Sequence, residues 1–152
     1  CYPVYKPRTF IQPSYQGTLG HCVATSIGVK VGNPDKRVLS LAGDGGFMFT
    51  VQELITAVQY NVPTVFLAMN DNAFGNVKRI LNQNYGGRTL CSDLTNPDFV
   101  KLAESFGMPG SRTDNPSGLR AALAHAFTRQ GPSLVEYQAG EFPDPWYLHF
   151  KK

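Results

Sequence analysis

With 152 residues, 42% of them apolar and 16% charged, the chain has the size and make-up of one globular domain with a sizeable core. A net charge of +3 with no Lys/Arg cluster longer than a pair argues against nucleic acid, and no apolar run approaches the ~20 residues of a membrane span. Cys1, Cys22 and Cys91 lack CxxC spacing, so they suggest reduced thiols in the cytoplasm, not a disulfide framework or a zinc site.

Residues 1–16, rich in Pro and Tyr, read as an extended lead-in. The opening lacks an initiator Met and a signal-peptide pattern, as expected for the interior of a longer polypeptide. In GTLGHCVATSIGVKVG, Leu19, Cys22, Val23, Ile27 and Val31 recur at helical intervals and predict a helix over 19–31. GNPDKR is a turn signal, and RVLSLA (37–42) predicts a short strand covered on both faces. Thr50-Val51-Gln52-Glu53 fits a capping box, so a helix is expected from there to Tyr60. PTVFLAM (63–69) predicts a second buried strand, with a short helix over 73–81 behind it.

Asn96, as N-cap, and Pro97, as first helical residue, open a predicted helix to Phe106. NPSGLRAALAHAFTRQG (115–131) reads as a helix closed by Gly131, and SLVEYQ (133–138) as the last strand. The alternation predicts an α/β fold, a parallel sheet with helices on both faces, spanning 17–140. The tail EFPDPWYLHFKK (141–152) is expected to lie over the domain or a neighbour.

Two apolar runs end at small polar clusters, Gly43-Asp44-Gly45-Gly46 and Asn70-Asp71-Asn72. In a parallel sheet the loops leaving adjacent strands meet at the carboxyl edge, and neighbouring strands are only ~4.8 Å apart. Asp44 and Asp71 therefore converge, and two carboxylates so placed repel unless a cation lies between them. Mg2+ suits such a site, because it takes one or two carboxylates and completes its shell with water and phosphate oxygens. Gly43, Gly45 and Gly46 leave backbone N–H groups accessible to a diphosphate, and a helix starting near Ala73 points its positive end there. GxxxxGK[ST] is absent, and GDGGFM lacks both the third glycine of GxGxxG and an acidic residue about 20 positions on.

Gly43-Asp44-Gly45 through Asn70-Asp71, with FTVQELITAVQYNVPTVFLAMN between and GTLG (17–20) upstream, resembles the diphosphate-binding domain of thiamine-diphosphate-dependent enzymes. Acetolactate synthase and benzoylformate decarboxylase are the most similar group, and the resemblance spans about residues 15–138. It implies that Asp44, the Asp71 side chain and the Ala73 carbonyl hold Mg2+, while Gly43, Gly45, Gly46 and the Phe74-Gly75 backbone meet the diphosphate. The Gly17 carbonyl then resembles the acceptor for the cofactor's amino group, and Leu19 the apolar wedge beneath the bent cofactor. Asp71 replaces the family's Asn, adding charge beside a diphosphate. Gly46 stands where many members carry Ser or Ala, and Val77 where pyruvate decarboxylases carry a glutamate.

The resemblance implies a decarboxylase or carboligase acting on small 2-oxo acids, assembled as a homo-oligomer. The activating glutamate lies on a pyrimidine-binding domain that does not fit in 152 residues, so this chain holds half a site. It is then part of a longer enzyme or a beta-type subunit of a split decarboxylase; the alternative is a non-catalytic cofactor-binding module. His21, two residues after Leu19, is a candidate near the substrate. His125, Lys78 and Arg79 read as surface groups, and Phe47, Phe49 and Phe66 as core or interface.

Overall fold

The computed structural model describes residues 4–13 and 15–140; the expectations for Cys1, His149 and the tail lie outside them. Helix α1 (His21–Gly32) leads into strand β1 (Leu39–Gly43), a short helix α2 (Asp44–Met48), a 3₁₀ turn (Val51–Glu53), helix α3 (Leu54–Gln59) and strand β2 (Val65–Asn70). Helices α4 (Gly75–Asn84) and α5 (Phe99–Ser105), strand β3 (Gly110–Thr113), helix α6 (Pro116–Ala126) and strand β4 (Ser133–Gln138) follow. The sheet is parallel throughout in the order β1-β2-β4-β3.

Alternation along each strand divides the apolar residues between two layers. Phe66, Ala68 and Leu134 pack against Val23, Phe47, Leu54 and Phe99, the layer of α1, α2, α3 and α5. Val65, Leu67 and Val135 face the other way, against Leu119, Leu123 and Ala126 of α6. Phe47 meets Phe99 edge-on at 5.7 Å, and each fully buried phenylalanine contributes roughly 1.5–3 kcal/mol. Phe47 follows the glycines directly, so this contact anchors the loop end of β1 to the core.

Several expectations need correction. β1 is an edge strand and is not covered on both faces: Ser40 is buried, but Leu41, facing the α6 side, is 56% exposed because α6 reaches only the other strands. The glycine cluster 43–46 is not a plain loop, since Asp44 opens α2. Thr50 makes no side-chain cap; its hydroxyl donates to the Gly20 carbonyl at 2.7 Å, and the helix proper begins at Leu54. Asn96 and Pro97 do not open a helix. Asp98 caps α5, accepting from the Val100 and Lys101 N–H groups, which frees the Asn96 side chain for another task.

Strand β3, GSRT, has no apolar run to announce it. The helix after β2 starts at Gly75 and extends to Asn84, and α6 ends at Ala126, short of Gly131. Asn115 caps α6 as its sequence suggests, accepting the Gly118 N–H at 2.8 Å.

Candidate metal centre

β1 and β2 are adjacent, with Gly43 opposite Met69, so the two acidic clusters leave the same edge of the sheet. Asp44 is 1% exposed, and one of its carboxylate oxygens accepts the Gly45 N–H at 2.9 Å. Burial raises the Asp71 pKa above the ordinary carboxylate range, and the nearby Asp44 charge raises it further; N–H groups of Ala73 and Asp71 itself offset part of this. Two carboxylates thus repel one another across the strand ends, an arrangement a cation would relieve. Among the described residues no three His, Cys, Asp or Glu side chains cluster, so a cation here would draw its remaining oxygens from amides, carbonyls or ligand.

The glycines are there for specific contacts. A Cβ on Gly45 would come within 2.6 Å of the Phe74 ring, so the ring lies on bare backbone. A Cβ on Gly75 would fall 2.6 Å from Asp71 Oδ2, so Gly75 lets that carboxylate fold back on the start of α4. Gly43 has open space around it, and a Cβ on Gly46 would meet only Leu19, at 3.5 Å. At the N-terminal turn of α2, the early N–H groups lack backbone partners within the helix, and that of Gly45 turns to the Asp44 carboxylate instead.

Leu19 is therefore brought beside the glycine turn, and it lines an open depression of about 610 Å³ with Gln12, Tyr15, His21 and Thr50. Gly17, with a left-handed φ of 59°, precedes it and packs against nothing within 4 Å of its Cβ position. Ala73 is buried in a short antiparallel bridge to Asp93, held by Phe74 N–H to Ser92 and Leu94 N–H to Asn72. Asn72 has φ 55°, the left-handed region that asparagine tolerates, and this turns the chain sharply after Asp71.

The residue that sequence reasoning missed is Asn96. Its Nδ2 donates to Asp44 Oδ2 at 2.6 Å and to Asn70 Oδ1 at 3.0 Å, and lies 3.3 Å from Asn72 Oδ1. It ties the two strand-end loops together. A second asparagine, Asn70, accepts the Asn72 N–H on Oδ1 and donates through Nδ2 to Glu136 Oε1 at 2.8 Å. Glu136 in turn accepts from Arg112 Nε at 2.6 Å, and Arg112 also reaches Asp98 at 2.8 Å. Those bonds raise the Arg112 pKa, the Glu136 hydrogen bond most of all. The only advance signal for Asn96 was its Pro97 neighbour, which points to a cap.

Of the groups set aside, His125 is exposed on α6, and Lys78 pairs with Asp93 at 2.6 Å. Phe47 and Phe66 are core, whereas Phe49 is exposed and stacks edge-on against Phe74 at 6.5 Å. Both described cysteines are free, and burial pushes the Cys22 thiol up.

Over residues 1–137 the sequence matches the family described as "Thiamine pyrophosphate enzyme, C-terminal TPP binding domain". It is 37% identical over 132 residues to a probable acetolactate synthase large subunit of Methanococcus aeolicus, covering 86% of this chain and 22% of that protein. It is 36% identical over 126 residues to the acetolactate synthase isozyme 3 large subunit of Escherichia coli K12, covering 82% of this chain and 22% of that protein. The fold is similar to a thiamine diphosphate-dependent 4-hydroxybenzoylformate decarboxylase of Rhodococcus jostii RHA1, with a TM-score of 0.79 and 27% identity, covering 85% of this chain and 24% of that one. The chain thus spans about a fifth of the length of these synthase relatives.

Proposed function

This chain belongs to the thiamine pyrophosphate enzymes through their C-terminal TPP binding domain, and on that footing we propose that it grips the cofactor's diphosphate through Mg2+ at the carboxyl edge of β1 and β2. The observation that carries the reading is the pairing of buried Asp44 with Asp71, whose carboxyl is raised by burial and by its partner's charge. Hard oxygen donors of that kind suit Mg2+, with Ala73 supplying a carbonyl. The N–H groups of Gly45 and Gly46 at the start of α2, the space at Gly43 and the Phe74-Gly75 backbone would then receive the phosphates. Leu19, beside Gly46, would support the cofactor from below, and Gly17 would accept its amino group.

Thiamine diphosphate, when bound, would supply the nucleophilic carbon and the electron sink that chemistry on a 2-oxo acid requires. This chain's own residues bind, orient and neutralise; a pyrimidine-binding domain or subunit would supply the activating glutamate. For the whole enzyme we propose an acetolactate synthase-like decarboxylase or carboligase, cytoplasmic and homo-oligomeric, acting on a small 2-oxo acid. No helix among the described residues is long and apolar enough to cross a membrane.

The test is calorimetry on the assembled enzyme. Asp44→Ala is expected to abolish Mg2+-dependent binding of thiamine diphosphate, and unchanged affinity would refute the assignment. A non-catalytic module would stay silent with cofactor bound when a pyrimidine-domain chain is added; activity appearing on addition excludes it.

A further inference from the structure

Behind the loops runs a row of polar side chains that the cofactor reading does not use. By strand alternation Asn70, Glu136 and Arg112 lie on one face of β2, β4 and β3, with Arg112 directly opposite Glu136. Glu136 is 1% exposed. Its Oε1 accepts from Asn70 Nδ2 at 2.8 Å, and its Oε2 accepts from Arg112 Nε at 2.6 Å.

The Asn70 amide has one permitted orientation. On one side it faces a carboxylate, which only accepts; on the other it faces the Asn72 N–H at 3.1 Å and the Asn96 amide nitrogen at 3.0 Å, which only donate. Glu136 enforces that choice from beneath, and Arg112 fixes Glu136. We propose that Glu136 is a positioning residue for the cation site: its carboxylate, held by Arg112, sets the Asn70 amide so that Oδ1 shapes the 70–72 turn carrying Asp71 and secures Asn96, which in turn holds Asp44. The inference rests on the reading of Asp44, Asp71 and Ala73 as cation ligands.

The polarity of the row makes the idea testable with nearly isosteric changes. Glu136→Gln leaves one acceptor oxygen where two are required. Arg112, which can only donate, claims it, and the new amide NH2 then confronts Asn70 Nδ2. The Asn70 amide relieves this by turning over, which sets its NH2 against the Asn72 N–H and Asn96 Nδ2, so the turn loses both bonds. Asn70→Asp alone sets two buried carboxylates face to face. Combined, the two substitutions rebuild a matched row, in which the new NH2 donates to the new carboxylate and that carboxylate accepts from Asn72 and Asn96.

The experiment titrates Mg2+ into the assembled enzyme at saturating thiamine diphosphate, followed by calorimetry, with Asp44→Ala as the reference. Each single variant should weaken Mg2+ binding about tenfold or more, the worth of one or two hydrogen bonds, and the double variant should return to within about threefold of the parent. Losses from mere loosening of the fold would accumulate in the double variant, so recovery is the signature of positioning. Mg2+ affinity unchanged by Glu136→Gln overturns the proposal, as does a double variant no better than its worse parent. If Glu136→Gln does not fold, a double variant that folds and binds Mg2+ normally supports it; one that folds with weak binding, or does not fold, overturns it. If Asp44→Ala keeps Mg2+-dependent binding, the cofactor reading itself has failed, a result distinct from any of these.

Discussion

Asn96→Ala is the most informative single truncation at the strand ends. The Asn96 amide nitrogen faces Asp44 Oδ2 at 2.6 Å, Asn70 Oδ1 at 3.0 Å and Asn72 Oδ1 at 3.3 Å, with two hydrogens to distribute. The short bond to a carboxylate is worth about 1.5–3 kcal/mol and a neutral one about 0.5–1.5 kcal/mol, so truncation should cost roughly 2–4 kcal/mol. Asp44 is 1% exposed, which places the cost toward the upper end without metal, since water reaches the abandoned oxygen poorly. A divalent cation at the loops would restore positive charge to the same carboxylate, so with saturating Mg2+ the deficit should shrink below about 1 kcal/mol. Urea denaturation followed by circular dichroism, in EDTA and in Mg2+, measures both values. A loss in EDTA of less than about 0.5 kcal/mol would refute the hydrogen-bond account. An equal loss in both conditions would detach Asn96 from the cation.

Two glycines should behave oppositely. Gly45→Ala drives a methyl into the Phe74 ring and should cost about 1–3 kcal/mol in a thermal or urea melt, most of it recovered in a Phe74→Ala background. Gly43→Ala has open space and an ordinary φ of −67°, so stability should change by no more than about 0.5 kcal/mol while calorimetric affinity for thiamine diphosphate falls. Phe47→Ala removes a fully buried ring that anchors the glycine turn to Phe99, and should cost about 3–5 kcal/mol in the same melts. Asp98 is held below its ordinary pKa, first by the Lys101 N–H and then by Arg112. Its contribution is therefore complete above the unfolded value of about 4 and is lost as pH falls through the depressed folded value. Val100 and Lys101 amide resonances should titrate in that acid range, and Asp98→Asn should abolish the transition.

The sequence by itself determined the α/β class, the strands that follow apolar runs, and the position of Asp44 and Asp71 just past two strand ends, because apolar runs and strand ends write directly into local pattern. SLVEYQ became a strand over its predicted length, Ser133–Gln138. VFLAMN is buried along β2 except for half-buried Met69, as a continuous apolar run requires. Tertiary structure alone decided the rest. GSRT became a strand by pairing with β4, not by any preference of its own residues. Thr50 gave up its expected cap for a carbonyl thirty residues earlier in the chain, and Asn96 gave up its own for Asp44 and Asn70. Glu136 reads as one more strand residue until the register sets it between Asn70 and Arg112. The reason is physical: a hydrogen-bonding side chain goes to whichever acceptor or donor burial leaves unmatched, and in a parallel sheet those partners arrive from strands far away in sequence.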